Sequence, residues 1–214
     1  MPIPFSAPPA ASSVGVIFGF EHIERTTLPR TEKTRAKVRP GELYISRLDE
    51  EIMTILGSCI AVCMRDPVAG VGGMNHFLLP ESNQPEIGES NRYGVWAMEM
   101  LVNSLLKLGA CRERLEIKVT GGGQIGSTGS MISSNNIKFI DRFLAVEGFQ
   151  PKARDVGGSN PRKIFYHPLS GRLIVNKLPP LQNAELNMEE IQLSRRLSRR
   201  SLSGAVELFG SKEE

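Results

Sequence analysis

Two side chains that could carry out covalent chemistry together lie in neighbouring apolar segments of the chain. Cys59 begins one apolar run, and His76 lies in the next. A free thiol has a pKa of about 8.5, so a cysteine nucleophile at neutral pH needs an adjacent imidazole to remove its proton. Of the other histidines, His22 precedes the predicted core and His167 falls in a predicted hairpin, whereas a turn at residues 66–67 can return His76 to Cys59. The pattern therefore selects Cys59 as candidate nucleophile and His76 as its base.

The two residues before the cysteine, Gly57 and Ser58, are small enough to let the backbone turn sharply at the end of a strand. Such a turn would place backbone N–H groups beside the thiol of Cys59. These N–H groups could stabilise the oxyanion of a tetrahedral intermediate. Gly57 and Ser58 are therefore predicted to support the reaction through their backbone.

The residue pattern alone leaves other interpretations open. A cysteine in an apolar run is commonly a small buried hydrophobic residue, and His76 could be a core histidine. Cys59, Cys63 and His76 could supply three zinc ligands, but Cys-x3-Cys within a strand separates the sulfurs poorly, and a fourth ligand is not evident. A redox disulfide between the same cysteines is equally awkward. The sequence predicts no metal and no other cofactor.

The glycine-rich segment 121–127 superficially suggests a phosphate-binding loop. Because no Gly-Lys-Ser/Thr follows it, a tight turn bordering the active site is predicted instead. Ser58 and Ser127 are not predicted to be nucleophiles, since neither lies in a Gly-x-Ser-x-Gly elbow. Trp96, on a predicted helix, is expected in the core.

Hydrophobic periodicity predicts strands interspersed with two main helices. Apolar residues recur every three or four positions in residues 93–108 and again from a cap at Ser133 or Ser134 to residue 146, and Gly109 and Gly148 are placed to end these helices. Strands are predicted at residues 42–46, 52–56, 60–64, 71–79, 115–119, 163–166 and 172–175, the last two forming a hairpin. Without a regular βαβ rhythm, this order indicates an α+β fold with layered antiparallel or mixed β-sheets.

The composition indicates one globular domain with extensions. The chain has 214 residues, of which 40% are hydrophobic and 23% charged, as in ordinary globular proteins. Its net charge of +3 is small for a nucleic-acid-binding protein. We find no signal peptide and no apolar stretch approaching the ~20 residues that cross a bilayer, so a cytoplasmic location is expected. The three cysteines, Cys59, Cys63 and Cys111, do not form a disulfide framework.

Three regions are predicted along the chain. Residues 1–40 are rich in Pro, Ser, Thr and charge and are expected to be a flexible N-terminal extension. Residues 41–180 form the predicted domain, and residues 181–214 a C-terminal tail that could be partly helical. The basic clusters at 25–39 and 195–200 are accordingly interpreted as solvated extensions.

Several segments, in order and at matching spacing, resemble the CheD family of chemoreceptor glutamine deamidases. The resemblance is carried by residues 56–67 (Leu-Gly-Ser-Cys-Ile-Ala-Val-Cys-Met-Arg-Asp-Pro) and 72–77 (Gly-Gly-Met-Asn-His-Phe), and also by residues 105–110, 118–123, 155–158 and 171–172. It implies a fold similar to that of cytotoxic-necrotizing-factor-like cysteine hydrolases. It also implies a protein-glutamine glutaminase that converts receptor glutamines to glutamate through a cysteine thioester.

The resemblance also implies residue roles and partners. Cys59 matches the nucleophile of the family, His76 its histidine and Thr54 its third member, a threonine. Thr54 stands closer to the cysteine than this threonine does in some members. In a strand, a change of one residue reverses the face of the side chain unless a bulge corrects it. The implied partners are the cytoplasmic domains of chemoreceptors, as substrate, and a CheC-like phosphatase. Alternatively, the protein could be a non-catalytic adaptor that regulates this phosphatase.

Overall fold

The computed structural model describes residues 15–29, 31–79, 89–125 and 129–179, together with residue 192. Ten strands and two long helices make up this part of the chain. The strands are β1 (Glu24–Thr27), β2 (Thr34–Lys37), β3 (Leu43–Ser46), β4 (Glu51–Leu56), β5 (Ile60–Asp66), β6 (Val71–Phe77), β7 (Glu116–Gly121), β8 (Pro151–Val156), β9 (Arg162–Tyr166) and β10 (Leu173–Lys177). The helices are α1 (Glu89–Lys107) and α2 (Gly129–Val146).

The strands form two mixed five-stranded sheets. The first sheet has the order β1-β2-β4-β9-β10, and the second sheet has the order β3-β6-β5-β7-β8. Neighbours pair antiparallel except for β2 with β4 and β7 with β8, which are parallel. The α+β class, the two main helices and the hairpin of β9 and β10 are thus confirmed.

Two hydrophobic clusters show how the elements are layered. One cluster joins α1 and α2 to the second sheet, and the other joins the two sheets to each other. The second sheet is therefore covered on both faces, which explains why β6 is buried along its whole length. In β4 only alternate residues are buried, as expected of a strand with one covered face.

The predicted extension at residues 1–40 is wrong for the part that the structure describes. β1 and β2 extend the first sheet, and Ile23, Ala36 and Val38 are buried in the cluster between the sheets. The basic side chains of this segment form ion pairs instead of facing solvent alone; Arg25, for example, contacts Glu50 at 2.9 Å. A short edge strand tolerates such charges. The charge-rich composition of this segment was therefore compatible with two strands, although it had been interpreted as a flexible extension. Residues 1–14 lie outside the described residues.

Other details of the helices also differ from expectation. α2 begins at Gly129, and Ser133 is buried within it, where its hydroxyl donates to the carbonyl of Gly122 instead of capping the helix. Trp96 is half exposed on α1, so its predicted place in the core is wrong. Gly109 and Gly148 do follow the helices, with φ values of 84° and 69°. Neither helix is long and apolar enough to cross a bilayer, as judged over the described residues. Apart from residue 192, the predicted tail helix lies outside them.

Candidate active site

Cys59 lies where the chain crosses from the first sheet to the second. β4 ends at Leu56 in the first sheet, and β5 begins at Ile60 in the second. The Cys59 side chain is fully buried in the cluster between the sheets, together with Ala61 and Cys63. Because alternate residues of a strand share a face, the thiol of Cys59 points into the space between the two sheets.

Three consecutive carbonyls at this crossing accept hydrogen bonds from neighbouring segments. Gly123 N–H donates to the carbonyl of Gly57 and Gly122 N–H to that of Cys59, both at 2.7 Å. The carbonyl of Ser58 accepts a bond from Asn136 Nδ2 at 2.9 Å. The peptide groups around Cys59 are therefore held from the side of the glycine-rich segment and α2.

The glycine-rich segment beside Cys59, which the structure describes as far as residue 125, turns where β7 ends. Gly121 and Gly122 have φ values of 122° and 62°, which side chains other than that of glycine rarely adopt. A Cβ atom on Gly121 would lie 2.2 Å from the Cys59 carbonyl oxygen. The turn can approach the cysteine backbone this closely only because it lacks side chains.

His76 lies on β6, the neighbour of β5. Ala61 of β5 is the residue directly opposite His76, so Cys59, two residues before Ala61, is its diagonal neighbour on the same face. Diagonal neighbours of this kind have Cβ atoms about 7–8 Å apart or somewhat less, within reach of longer side chains. The backbone of His76 is fixed on the other side, where its N–H donates to the carbonyl of Glu42 at 2.9 Å.

Thr54 reaches His76 from the first sheet. Its Oγ1 lies 2.8 Å from His76 Nδ1, and the two side chains are only 2% and 1% exposed. The inward face of β4 carries Ile52, Thr54 and Leu56, so the spacing to Cys59 does not turn the threonine away. The structure therefore brings Thr54, His76 and the Cys59 segment together between the two sheets.

The other two cysteines lie in different surroundings. Cys63 is fully buried, and this desolvation raises the pKa of its thiol well above the ordinary value. Cys111 lies at the opposite end of β5, where its N–H donates to Asp66 and its thiol donates to Glu113 at 2.7 Å. None of the three cysteines forms a disulfide bond within the part of the chain that the structure describes. Within the described ranges, no group of three or more His, Cys, Asp or Glu side chains could hold a metal ion.

An ion pair between a buried arginine and a partly exposed aspartate lies near the end of β4. Arg162, opposite Leu56 in the register of β9 and β4, is only 2% exposed. Its guanidinium donates to Asp155 and to the carbonyl of Gly157, the latter at 2.6 Å, and this contact lowers the pKa of Asp155. Because the pair is compensated, it places no isolated charge beside the Cys59 crossing.

Sequence reasoning missed the contribution of α2 to this site. Ser133 and Asn136 are both fully buried, one turn apart, and both contact the segments around Cys59. An asparagine within a helix carries no local signal of such a contact, because only the tertiary packing brings it to the segment before Cys59.

A thiol, an imidazole and a hydroxyl arranged in this way form the kind of grouping used by cysteine hydrolases. A family model described as "CheD chemotactic sensory transduction" matches residues 78–177. A protein of Hydrogenovibrio crunogenus named "Probable chemoreceptor glutamine deamidase CheD" is 44% identical over 191 residues, covering 87% of this chain and 100% of the relative. A protein of the same name from Herminiimonas arsenicoxydans is 44% identical over 183 residues, covering 83% and 90% of the two chains. The chain belongs to the CheD family.

Proposed function

We propose that this protein hydrolyses the side-chain amide of glutamines on chemotaxis receptors, giving glutamate and ammonia. The family membership and the names of the relatives support the proposal. The single observation that carries it is the 2.8 Å contact between Thr54 Oγ1 and His76 Nδ1, beside the Cys59 crossing. A buried core histidine would also need a hydrogen-bond partner, but here the bonded imidazole is in addition the diagonal neighbour of a cysteine, and a general base needs a group that fixes its tautomer.

The hydrogen bond to Thr54 defines a working tautomer for His76. If Nδ1–H donates to the threonine hydroxyl, Nε2 carries a lone pair and can accept the thiol proton of Cys59. The resulting imidazolium keeps its bond to Thr54 and is stabilised by it. We therefore assign Cys59 as nucleophile, His76 as general base and acid, and Thr54 as the residue that orients the imidazole.

The reaction proceeds through two tetrahedral intermediates. The Cys59 thiolate attacks the carboxamide carbon, and the carbonyl oxygen becomes an oxyanion that backbone N–H groups of the segment 57–59 stabilise. His76 then gives its proton to the departing nitrogen, leaving a thioester and ammonia. Water, deprotonated by His76, attacks the thioester, and glutamate is released as the thiol is restored.

The substrate must reach a thiol that is fully buried. A glutamine side chain therefore contacts Cys59 only after the residues that cover it have moved. Each turnover would add one negative charge to the receptor. In a coiled coil, such added carboxylates change the repulsion between helices, and this would take place in the cytoplasm, on the signalling side of the receptor.

Mass spectrometry of receptor cytoplasmic fragments incubated with the protein tests the proposal, since Gln→Glu produces a small mass gain. The wild type should produce it, and Cys59→Ala and His76→Asn should not. Cys63→Ala is the matched control, because Cys63 is an equally buried thiol that lies on β5 and packs in the same cluster as Cys59, and it should remain active.

Activity retained by Cys59→Ala would show that the nucleophile is a different residue. A wild-type protein that never modifies receptor fragments but alters the rate of a CheC-like phosphatase would favour the adaptor function instead.

A further inference from the structure

A single carboxamide links the segment of the nucleophile to the strand of the base. Asn136, on α2, donates from Nδ2 to the carbonyl of Ser58 at 2.9 Å, and its Oδ1 accepts from the N–H of Leu79, also at 2.9 Å. Ser58 immediately precedes Cys59, and Leu79 lies three residues beyond His76. Asn136 therefore connects the two chain segments that carry the proposed thiol and imidazole.

These two hydrogen bonds act where the strands end. Ser58 lies between β4 and β5, and Leu79 lies beyond the end of β6. The Asn136 side chain is completely buried, and burying an amide is costly unless both of its ends are bonded. An apolar residue at this position would leave the Ser58 carbonyl and the Leu79 N–H without these bonds, so the amide holds both backbone groups at fixed positions.

The bond to Ser58 also sets the direction of the peptide group before Cys59. In a trans peptide, the N–H points opposite to the carbonyl. Since the Ser58 carbonyl is directed at Asn136, the N–H of Cys59 is directed away from α2. One turn earlier, Ser133 donates to the carbonyl of Gly122, and Gly122 N–H donates to the carbonyl of Cys59. α2 thus holds the cysteine backbone at two points.

We propose that Asn136 is a positioning residue for the deamidation reaction, an inference that rests on the function proposed above. It fixes the Cys59 peptide in the orientation that stabilises the oxyanion, and it fixes the spacing between the Cys59 crossing and the His76 strand. Asn136 acts through the backbone of both segments, by its bonds to the Ser58 carbonyl and the Leu79 N–H.

Two substitutions separate this role from simple packing. Asn136→Ala removes both hydrogen bonds, whereas Asn136→Asp keeps the size and the acceptor for Leu79 but loses the donor to Ser58. Asn135→Ala, at the adjacent and partly buried residue, is the matched control. For both Asn136 variants we expect kcat on a receptor fragment to fall about 10- to 100-fold, the scale associated with small misplacements of reacting groups. KM should change less than about twofold, because no substrate contact is removed.

Iodoacetamide labelling provides a second measurement that requires no receptor. If Asn136 aligns the thiol with the imidazole, both variants should label Cys59 more slowly at neutral pH and reach their maximal rate at higher pH. Cys63 should stay protected. Loosening of the fold would do the opposite and would speed the labelling of Cys59 and Cys63 together, because both thiols are buried.

Unchanged kcat and unchanged labelling in a folded Asn136→Ala variant would overturn the proposal. So would faster labelling of both buried thiols, or loss of folded protein in both variants, since Asn136 would then serve stability alone. A wild-type protein without deamidase activity would instead contradict the proposed function, and the labelling profiles would still test the alignment of Cys59 with His76.

Discussion

Removing the hydroxyl of Thr54 should slow the reaction without unfolding the protein. Thr54→Val keeps the β-branched shape in a site where the threonine is only 2% exposed, so water cannot readily replace the lost group. His76 Nδ1 would then lose its partner at 2.8 Å. Leaving a buried polar group unsatisfied costs about 1–3 kcal/mol. If all of this cost falls on the transition state, the rate should decrease about 5- to 150-fold.

The assay compares initial rates of deamidation on one receptor fragment with the rate of Cys59 alkylation as a function of pH. Thr54→Val should lower the initial rate of deamidation and shift the pH profile of Cys59 alkylation to higher pH. The reason is that the imidazolium that stabilises the thiolate loses its hydrogen-bond acceptor. Thr54→Ser restores a hydroxyl and should recover most of the rate. Thr120→Val is a matched control, since the buried Thr120 hydroxyl makes no hydrogen bond to the residues that the structure describes, and its rate should stay within about twofold of the wild type.

A Thr54→Val variant with wild-type rate and an unchanged alkylation profile would refute this role for the threonine. Equal losses in the valine and serine variants would refute it as well, because the effect would then follow from shape instead of the hydrogen bond.

Two further predictions concern stability. Arg25→Ala should lower the free energy of unfolding, measured in urea, by about 3–5 kcal/mol, because it leaves the buried carboxylate of Glu50 without its ion-pair partner. Arg39→Ala breaks an exposed ion pair and should lower it by less than about 1 kcal/mol. Equal losses in the two variants would contradict the reasoning. Asp66 is buried, and its hydrogen bond with Arg114 lowers the pKa of its carboxyl group. Its contribution to the stability of the fold is therefore complete above the unfolded-state pKa of about 3.9 and is lost as the pH falls below that value. Asp66→Asn should therefore lower the melting temperature at pH 7 and flatten its acid dependence below about pH 4; parallel melting curves for variant and wild type across that range would show that Asp66 does not titrate in this way.

The elements that the sequence predicted are those with a strong periodic signal. β5 and β6 are continuous apolar runs because the second sheet is covered on both faces, and α1 shows the three- and four-residue spacing of an amphipathic helix. β8 was missed because three of its six residues are exposed and the other three are only partly buried. β1 and β2 were missed because their charges resemble those of a disordered segment, and only the partners on other strands show that these charges are paired.

The parts of the candidate site that could be predicted from the sequence are those that depend only on the type of a single residue. A thiol and an imidazole in adjacent apolar runs can be found by inspection, whereas the face occupied by Thr54 depends on which side of β4 is covered. The contacts of Asn136 are harder to predict, because they depend on how α2 packs on the second sheet. Only in that packing does the Asn136 amide reach both Ser58 and Leu79. Local pattern cannot anticipate a contact between residues 78 positions apart.

The position of Cys59 at a crossing between sheets explains how a buried thiol can still be suited to chemistry. Cys63, in the middle of β5, has a strand on each side, and burial alone holds it as a neutral thiol. At Cys59 the helix layer binds the carbonyls through Asn136 and the glycine-rich turn, while the first sheet contributes Thr54 to the imidazole. The backbone of Cys59 is thus fixed from one side, and the proposed proton acceptor, His76, from the other. Neither layer alone would align the thiol. A change in the packing of α2 or of the first sheet should therefore alter the alignment of the Cys59 thiol with His76.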